Sequence, residues 1–282
     1  MAVKLIFVHA LSSLHAGTGQ GVGTIDLPIA RERATNLPLV PGSSIKGCLK
    51  EAYADHPDRD AVFGVQEAAG LLQVADARLL LLPVRCLGAS FMWTTSPYVL
   101  RRFRRDLEAA GIGGAPGVPA VADGAARVVT GDALVTVNNK SRLVLEDLDF
   151  EASATEAAEW AEWIGTRLFT GDKDWQAEFR KRFAIVDDKS FHFLAEFATE
   201  VSAHVKIDHK TGTVEQGALW YQEALPAESV LVSLLRAEER KGQTPSEGGV
   251  LKVVGAARCL QLGGKATTGQ GVVRLVPAGG AA

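Results

Sequence analysis

The chain of 282 residues carries 30 Lys and Arg against 33 Asp and Glu, for a formal net charge of −3, and 47% of it is apolar. That is enough for a packed core, and it excludes a protein that grips nucleic acid through a uniformly positive surface; any RNA contact has to come from local clusters. Cys48, Cys86 and Cys259 stand far apart with no C-x-x-C pair, which excludes a zinc ribbon and a disulfide framework and reads as buried thiols in a reducing compartment.

Lys4 precedes the apolar run Leu5-Ile6-Phe7-Val8, which is shorter than a secretory h-region and lacks a cleavage site. The run is expected to be a buried first strand, over Val3 to Leu11, in a cytoplasmic protein with no membrane span. A glycine loop follows, then a helix from about Ser44 to Tyr53, where Ile45, Leu49 and Tyr53 recur every fourth residue. Leu71 to Arg85 and Ala89 to Trp93 predict central strands. After Pro97 the pattern predicts a helix, with Arg101, Arg102, Arg104 and Arg105 set around Phe103 and Leu107, so the arginines cannot all face one way. Ala110 to Gly124 lacks periodicity and reads as a mobile loop.

Strands are expected in Leu134 to Phe150, around the Asn138-Asn139-Lys140 turn, and a helix over Thr155 to Phe169, with Trp160 and Trp163 in the core. Phe191 to Ile207 reads as strand-like; a turn at Asp208 to Gly212 and a strand through Trp220-Tyr221 complete a long protruding hairpin. Arg258 to Leu262 and Val272 to Val276 bracket a second glycine-rich loop. The sum is one α+β sheet domain with insertions rather than two domains.

The chemistry concentrates in the first glycine loop. Gly17, Gly19, Gly21 and Gly23 alternate, so an extended phosphodiester could lie against a backbone without side chains, and Asp26 is the first charged residue after them. Behind it Pro41-Gly42 makes a turn, Ser43 or Ser44 is expected to cap the helix, and Lys46 falls in its first turn, where free N–H groups favour an anion. Neither glycine loop is a nucleotide fingerprint. The first lacks G-x-G-x-x-G spacing, and in the second Ala266 follows Gly264-Lys265 where a Walker loop needs Ser or Thr. They read either as ordinary turns or, with Lys46 and Lys265, as cradles for an RNA backbone.

The order of these motifs carries a resemblance. Leu14-His15-x-Gly17-x-Gly19-x-Gly21, Ile25-Asp26-x-Pro28-Ile29-x-Arg31 and Pro41-Gly42-Ser43-Ser44-x-Lys46-Gly47 are followed near the C-terminus by Leu262-Gly263-Gly264-Lys265-Ala266-Thr267-Thr268-Gly269-Gln270-Gly271. The chain resembles the RAMP superfamily of CRISPR RNA-binding proteins and, within it, the backbone subunits of Cmr (type III-B) effector complexes. Asp76 to Arg85, Trp93 to Leu100 and Glu215 to Trp220 extend the likeness over nearly the whole chain.

The resemblance implies a ferredoxin-like (RRM-like) palm with helical insertions and a protruding β-hairpin thumb. It makes residues 1–282 a single RAMP domain, with insertions at about 54–130 and 150–190 and the thumb hairpin at about 200–226. It implies partners: a guide CRISPR RNA, a single-stranded target RNA, further copies in a head-to-tail filament, and other Cmr subunits. It also implies cutting of the target by attack of a 2′-OH on its own phosphate, centred on Asp26 with Mg²⁺ or another divalent cation. Without the resemblance, Asp26 reads first as an Asx-turn residue ahead of Pro28.

His15 is the second catalytic candidate, as a neutral imidazole taking the 2′-OH proton; the alternative is a structural histidine at a strand end. Lys46, Lys50, Arg31 and Arg33 are the phosphate candidates, joined by Ser43 and Ser44, by Gly263, Gly264 and Lys265, and by Lys206 and Lys210 of the hairpin. Trp220-Tyr221 could pack or stack, and Glu215 and Glu223 could assist cleavage. His192, His204 and His209 lack ligand spacing, so a cation would be held by Asp26, RNA phosphates and water. Two other readings stand beside this one. One is a guide-binding scaffold that does not cut, and the other a stand-alone guide-processing endoribonuclease that uses His without metal.

Overall fold

A computed structural model describes residues 2–19, 21, 23–154, 157–238 and 245–279. Gln20 and Val22 of the first glycine run, and Thr155 at the expected start of a helix, lie outside the described residues. Six strands position the site: β1 (Ala2–Ala10), β2 (Ala77–Arg85), β3 (Glu200–Ile207), β4 (Val214–Ala224), β5 (Val230–Ala237) and β6 (Val272–Pro277). The helices that matter are α1 (Gly42–Ala52), α2 (Pro97–Ala109), α3 (Ala157–Leu168), α4 (Asp188–Phe197) and α5 (Glu247–Leu251).

β1 is buried from Leu5 onward, as a continuous apolar run demands when both faces of a strand are covered. It lies between β5 and β6 and pairs antiparallel with each; β5 pairs antiparallel with β2 on its other side. The resulting order is β6-β1-β5-β2. Beyond β2 the sheet continues through Phe91–Thr95, Phe183–Val186 and Ala125–Val128 to Leu148–Ala154, reaching 13 strands among the described residues. It is mixed, because Phe183–Val186 runs parallel to Phe91–Thr95, and Leu148–Ala154 parallel to Ala125–Val128. β2, within the stretch expected as the first insertion, is thus a central strand.

α2 and α3 cover the sheet through aromatic side chains. The Phe103 ring lies 6.0 Å from Phe7, 6.1 Å from Trp160 and 5.7 Å from Trp163, so both tryptophans are core, as their spacing suggested. Phe103→Ala should therefore cost about 3–5 kcal/mol, read as a lower urea midpoint. The arginines of α2 divide. Arg102 pairs with Glu32 and Arg101 with Asp188, while Arg104 and Arg105 have no ion-pair partner among the described residues.

Three local expectations change. The stretch from Ala110 to Gly124 is irregular but packed: Ile112, Ala115, Val118 and Val121 lean on the core, and the Trp160 indole N–H donates to the Gly117 carbonyl at 2.7 Å. Phe191 to Ile207 is not one strand. Asp187 caps α4 by accepting from the Ser190 N–H at 2.9 Å, and Phe191, Leu194 and Ala195 are buried with helical spacing, so β3 begins only at Glu200. Nor do Ser43 and Ser44 cap α1. The helix starts earlier, with Pro41 at the cap and Gly42 first, where Asp76 accepts from the Gly42 N–H at 2.8 Å and a Cβ would overlap the Val74 carbonyl oxygen. Lys46 is accordingly the fifth helical residue, in the second turn rather than the first.

β3 and β4 form the hairpin as a separate two-stranded sheet. Val205 stands opposite Leu219 and His204 opposite Trp220, so alternate residues divide into a face with Val201, Val205 and Leu219 and a face bearing His204, Trp220 and Gln222; at Lys206 the register shifts. Among the described residues no helix is long and apolar enough to cross a membrane.

Candidate functional site

After β1 the chain makes a long excursion and returns. Leu14 and Leu225 exchange backbone hydrogen bonds of 2.8 and 2.9 Å, the Ala30 N–H donates to Ala16 at 2.8 Å, and the Gly21 N–H donates to Asp26 at 2.9 Å. The returning limb is zipped to β4: Leu27 donates to the Tyr221 carbonyl at 3.0 Å, and Glu223 donates to the Leu27 carbonyl at 2.9 Å. Asp26 adds a third contact, its Oδ2 accepting from the Tyr221 N–H at 2.7 Å. Its hydrogen bond therefore goes to a distant strand rather than to a local turn ahead of Pro28. The second carboxylate oxygen has no partner among the described residues.

Asp26 opens into a cleft of about 480 Å³ whose other walls are Gly21, Leu27, Trp220 and Lys265. Trp220 is stacked on His204 at 5.6 Å and 15°, and the Lys265 amine lies 5.9 Å from the indole centroid. One carboxylate, one cation and one aromatic face thus share a space large enough for a nucleotide.

His15 does not line that cleft. It is 8% exposed, and its Nδ1 lies 2.6 Å from the Glu223 carbonyl oxygen. A carbonyl can only accept, so Nδ1 carries the proton, and Nε2 turns toward Gly17, where a Cβ would come within 2.6 Å of it. His15 is a buried fastening between the glycine loop and β4.

Glu223, 3% exposed, is a hub rather than a free base. Its carboxylate accepts from the Arg31 guanidinium, from Thr199 at 2.9 Å and from the Ile29 N–H at 3.1 Å. Arg31 also donates to the Asn36 and Ala195 carbonyls at 2.8 and 2.9 Å, which ties the loop to α4 and leaves it committed inside the protein instead of offered to phosphate. Glu32 is held by Arg102; burial acts to raise its pKa, but hydrogen bonds from Arg102 and Thr35 keep the carboxyl below its ordinary value. Arg33 is exposed and has no partner among the described residues.

The second glycine loop also differs from an open cradle. Gly263 has φ +80° and no room for a Cβ against the His15 carbonyl oxygen, to which the Gly264 N–H donates at 3.0 Å. At its far end the Gly271 N–H donates to Ser13 at 2.8 Å. These glycines permit backbone to meet backbone, so the signal for close approach was real but its partner was the protein.

A separate cleft of about 620 Å³ is lined by Gly42, Ser43, Lys46 and Lys50 of α1, by residues 63–65, 68–70 and 72–74, and by Glu238. Lys50 donates to the Gly64 carbonyl at 2.6 Å, whereas Lys46 has no partner among the described residues. Burial, and then the charge of Lys50, push the Lys46 amine below its ordinary pKa, the situation an incoming anion relieves. Ser44 is not in the lining. On the hairpin, Lys206 pairs with Glu215 at 2.8 Å across a solvent-exposed gap, an interaction weak enough to exchange for phosphate, and Lys210 is exposed at the tip.

Among the described residues no group of three or more His, Cys, Asp or Glu could hold a metal ion. What the cleft offers is the one open oxygen of Asp26. That suits Mg²⁺, which keeps several waters and takes one or two carboxylates beside substrate phosphates, and does not suit a caged metal.

The RAMP superfamily profile matches residues 7–274, and the chain belongs to that family. It is 33% identical to the CRISPR system Cmr endoribonuclease Cmr4 of Pyrococcus furiosus over 291 residues, 98% of this chain and 95% of that one. It is 25% identical to the CRISPR system CMR subunit Cmr4 of Saccharolobus solfataricus, over 97% and 96% of the two chains. The crystal structure of oligomeric Cmr4 from Pyrococcus furiosus superposes with a TM-score of 0.76 at 26% identity, covering 98% of both chains.

Proposed function

We propose that this chain is the repeated backbone subunit of a Cmr-type CRISPR effector, and that it cuts target RNA at the Asp26 cleft. The observation that carries this reading is the Asp26 carboxylate, fastened by one oxygen to the Tyr221 N–H, with no partner for the other among the described residues, in the wall of a cleft shared with Lys265 and Trp220. Full-length similarity to a named Cmr endoribonuclease supports it. The strand order β6-β1-β5-β2, with α1 and α5 in the two crossovers, supports a ferredoxin-like palm bearing the hairpin as its thumb.

The chemistry is an in-line transesterification. The 2′-oxygen of the target strand attacks its neighbouring phosphorus, the O2′–P bond forms, and the P–O5′ bond breaks, leaving a cyclic phosphate and a 5′-hydroxyl. Asp26 accepts the 2′-hydroxyl hydrogen bond and aligns that oxygen; its own anchoring to β4 means the alignment needs no rearrangement at the moment of reaction. A divalent cation held by the open Asp26 oxygen, RNA phosphates and water would neutralise charge on the phosphate. His15 and Glu223 keep the loop in place without entering the cleft.

The guide RNA lies along the Lys46 cleft and the exposed Arg33, while base pairing selects the target. Copies assemble head to tail along the guide with other Cmr subunits, in the cytoplasm, so each copy need neutralise only a few phosphates. Lys46→Ala should reduce the log–log salt slope of guide binding by about 0.7, as expected for one phosphate on a single strand. The reading is tested by cutting of labelled complementary RNA by the guide-loaded complex, wild type beside Asp26→Asn, with Mg²⁺ or with EDTA. Regular cuts lost in the variant and in EDTA support it. Unchanged cuts in the variant would make the subunit a scaffold at this position.

A further inference from the structure

We propose that Lys265 is a second catalytic group of this cleft, stabilising the charge that builds on the phosphoryl oxygens as the 2′-oxygen attacks. The proposal rests on the Asp26 reading and adds to it a residue from the opposite end of the chain.

The first argument is conformational. Lys265 has φ +64° and ψ +29°, the left-handed region where a Cβ is strained and glycine is at ease. Other non-glycine residues with positive φ among the described residues are Asn36, Asn138 and Asn139, a type that tolerates it, and Glu146 and Glu228, whose carboxylates are engaged by Arg85 and His9. Lys265 has no carboxylate partner among the described residues. Its neighbours Gly263 and Gly264 are glycine, yet the position that would profit from glycine carries a long cation.

The second argument is rigidity. The Lys265 carbonyl accepts from the Thr268 N–H at 3.0 Å and the Thr268 hydroxyl at 2.8 Å, closing a tight turn. That turn is fastened to Ser13 and His15 at its two ends, and to the hairpin through Gln222, whose Nε2 donates to Gln270 Oε1 at 2.6 Å. Gln222 is 1% exposed, so this link is shielded from water. Strain that the surroundings hold in place is the pattern of a positioned functional residue.

The third argument is placement. The amine lies over Trp220, which lines the cleft with Asp26. A cation and a carboxylate that face a common space without neutralising each other suit a reaction that deprotonates a hydroxyl and gathers negative charge on a phosphate. The 2′-hydroxyl proton passes to Asp26, O2′–P forms as P–O5′ breaks, and the departing O5′ takes a proton from water. Lys265 gives up no proton; it contributes charge at a fixed point.

The test compares Lys265→Met, Lys265→Arg, Lys265→Gly and Asp26→Asn in the assembled, guide-loaded complex, with single-turnover cutting at saturating target, target affinity, and the melting temperature of each. Lys265→Met should slow the saturated rate about 100-fold, in the range of losing one oxyanion donor, with target affinity changed less than about threefold because base pairing carries it. Lys265→Arg should recover part of the rate. Lys265→Gly relieves the backbone, so it should melt no lower than wild type and cut as slowly as Lys265→Met, a combination that a structural role would not produce.

Wild-type rates in Lys265→Met at saturating target would overturn the proposal, and so would a Lys265→Gly variant that melts well below wild type. If Asp26→Asn is inactive while Lys265→Met is not, only the proposal falls. If Asp26→Asn cuts normally, the reading of the cleft falls with it.

Discussion

Asp26→Asn is expected to lower the single-turnover rate of target cutting by at least about 100-fold, the scale of losing one charged group that acts on the reacting atoms, while target binding persists. Asparagine retains an oxygen that can go on accepting from the Tyr221 N–H, so the zipper of Asp26 and Leu27 to β4 stays closed. What it loses is the negative charge and the ability to take a proton. Asp26→Ala separates the two roles. It should be equally inactive and should also release the Tyr221 amide, at a cost of about 1 kcal/mol for one exposed hydrogen bond. Faster hydrogen exchange at Tyr221 in Asp26→Ala, but not in Asp26→Asn, would be the signature. Equal exchange in the two would show that the carboxylate does not hold the loop.

Glu223→Ala is expected to give the largest loss of stability at the site, about 3–5 kcal/mol, as for breaking one partner of a buried ion pair. Arg31 would keep its guanidinium among carbonyls with no counter-charge, and Thr199 and the Ile29 N–H would lose their acceptor. Glu223→Gln is not a mild version, because its amide must present N–H toward Arg31 or toward Ile29, each of which is itself a donor. Urea unfolding of the isolated subunit would measure both variants. A loss below 1 kcal/mol in Glu223→Ala would show that the hub is solvated and the loop held chiefly by its backbone hydrogen bonds. The same substitution tests whether Glu223 has any separate part in cutting, since a stable but inactive variant would contradict a purely structural role.

Much of the architecture was legible because it is written in local pattern. The run Leu5 to Val8 can only be a strand covered on both faces, and Trp160 and Trp163 share a helix face that must be buried. The hairpin showed itself through its turn residues and alternation. The stretch from Phe191 to Ile207 reads as a strand because its aromatic residues suit a strand as well as a helix face, and the signal that decides for a helix is the Asp187 cap just before it. Residue type alone offers Arg31 as a phosphate ligand and Glu223 as an aid to cleavage, because nothing in the chain between them reveals that β4 returns beside the first loop and pairs the two.

The sequence by itself determined that two glycine-rich segments, a lysine-bearing helix and an aspartate occur in an order that marks a RAMP protein, since those are matters of residue type and spacing. Only the tertiary structure decided which of them share a cleft. β1 sits between β5 and β6, so the chain leaving β1 and the loop entering β6 emerge at the same end of the sheet, and β4 leads there directly into β5. That pairing brings Asp26 and Lys265 to one space and leaves Lys46 in another. Strand pairing is a long-range choice made by the burial of whole faces, and no local pattern records it.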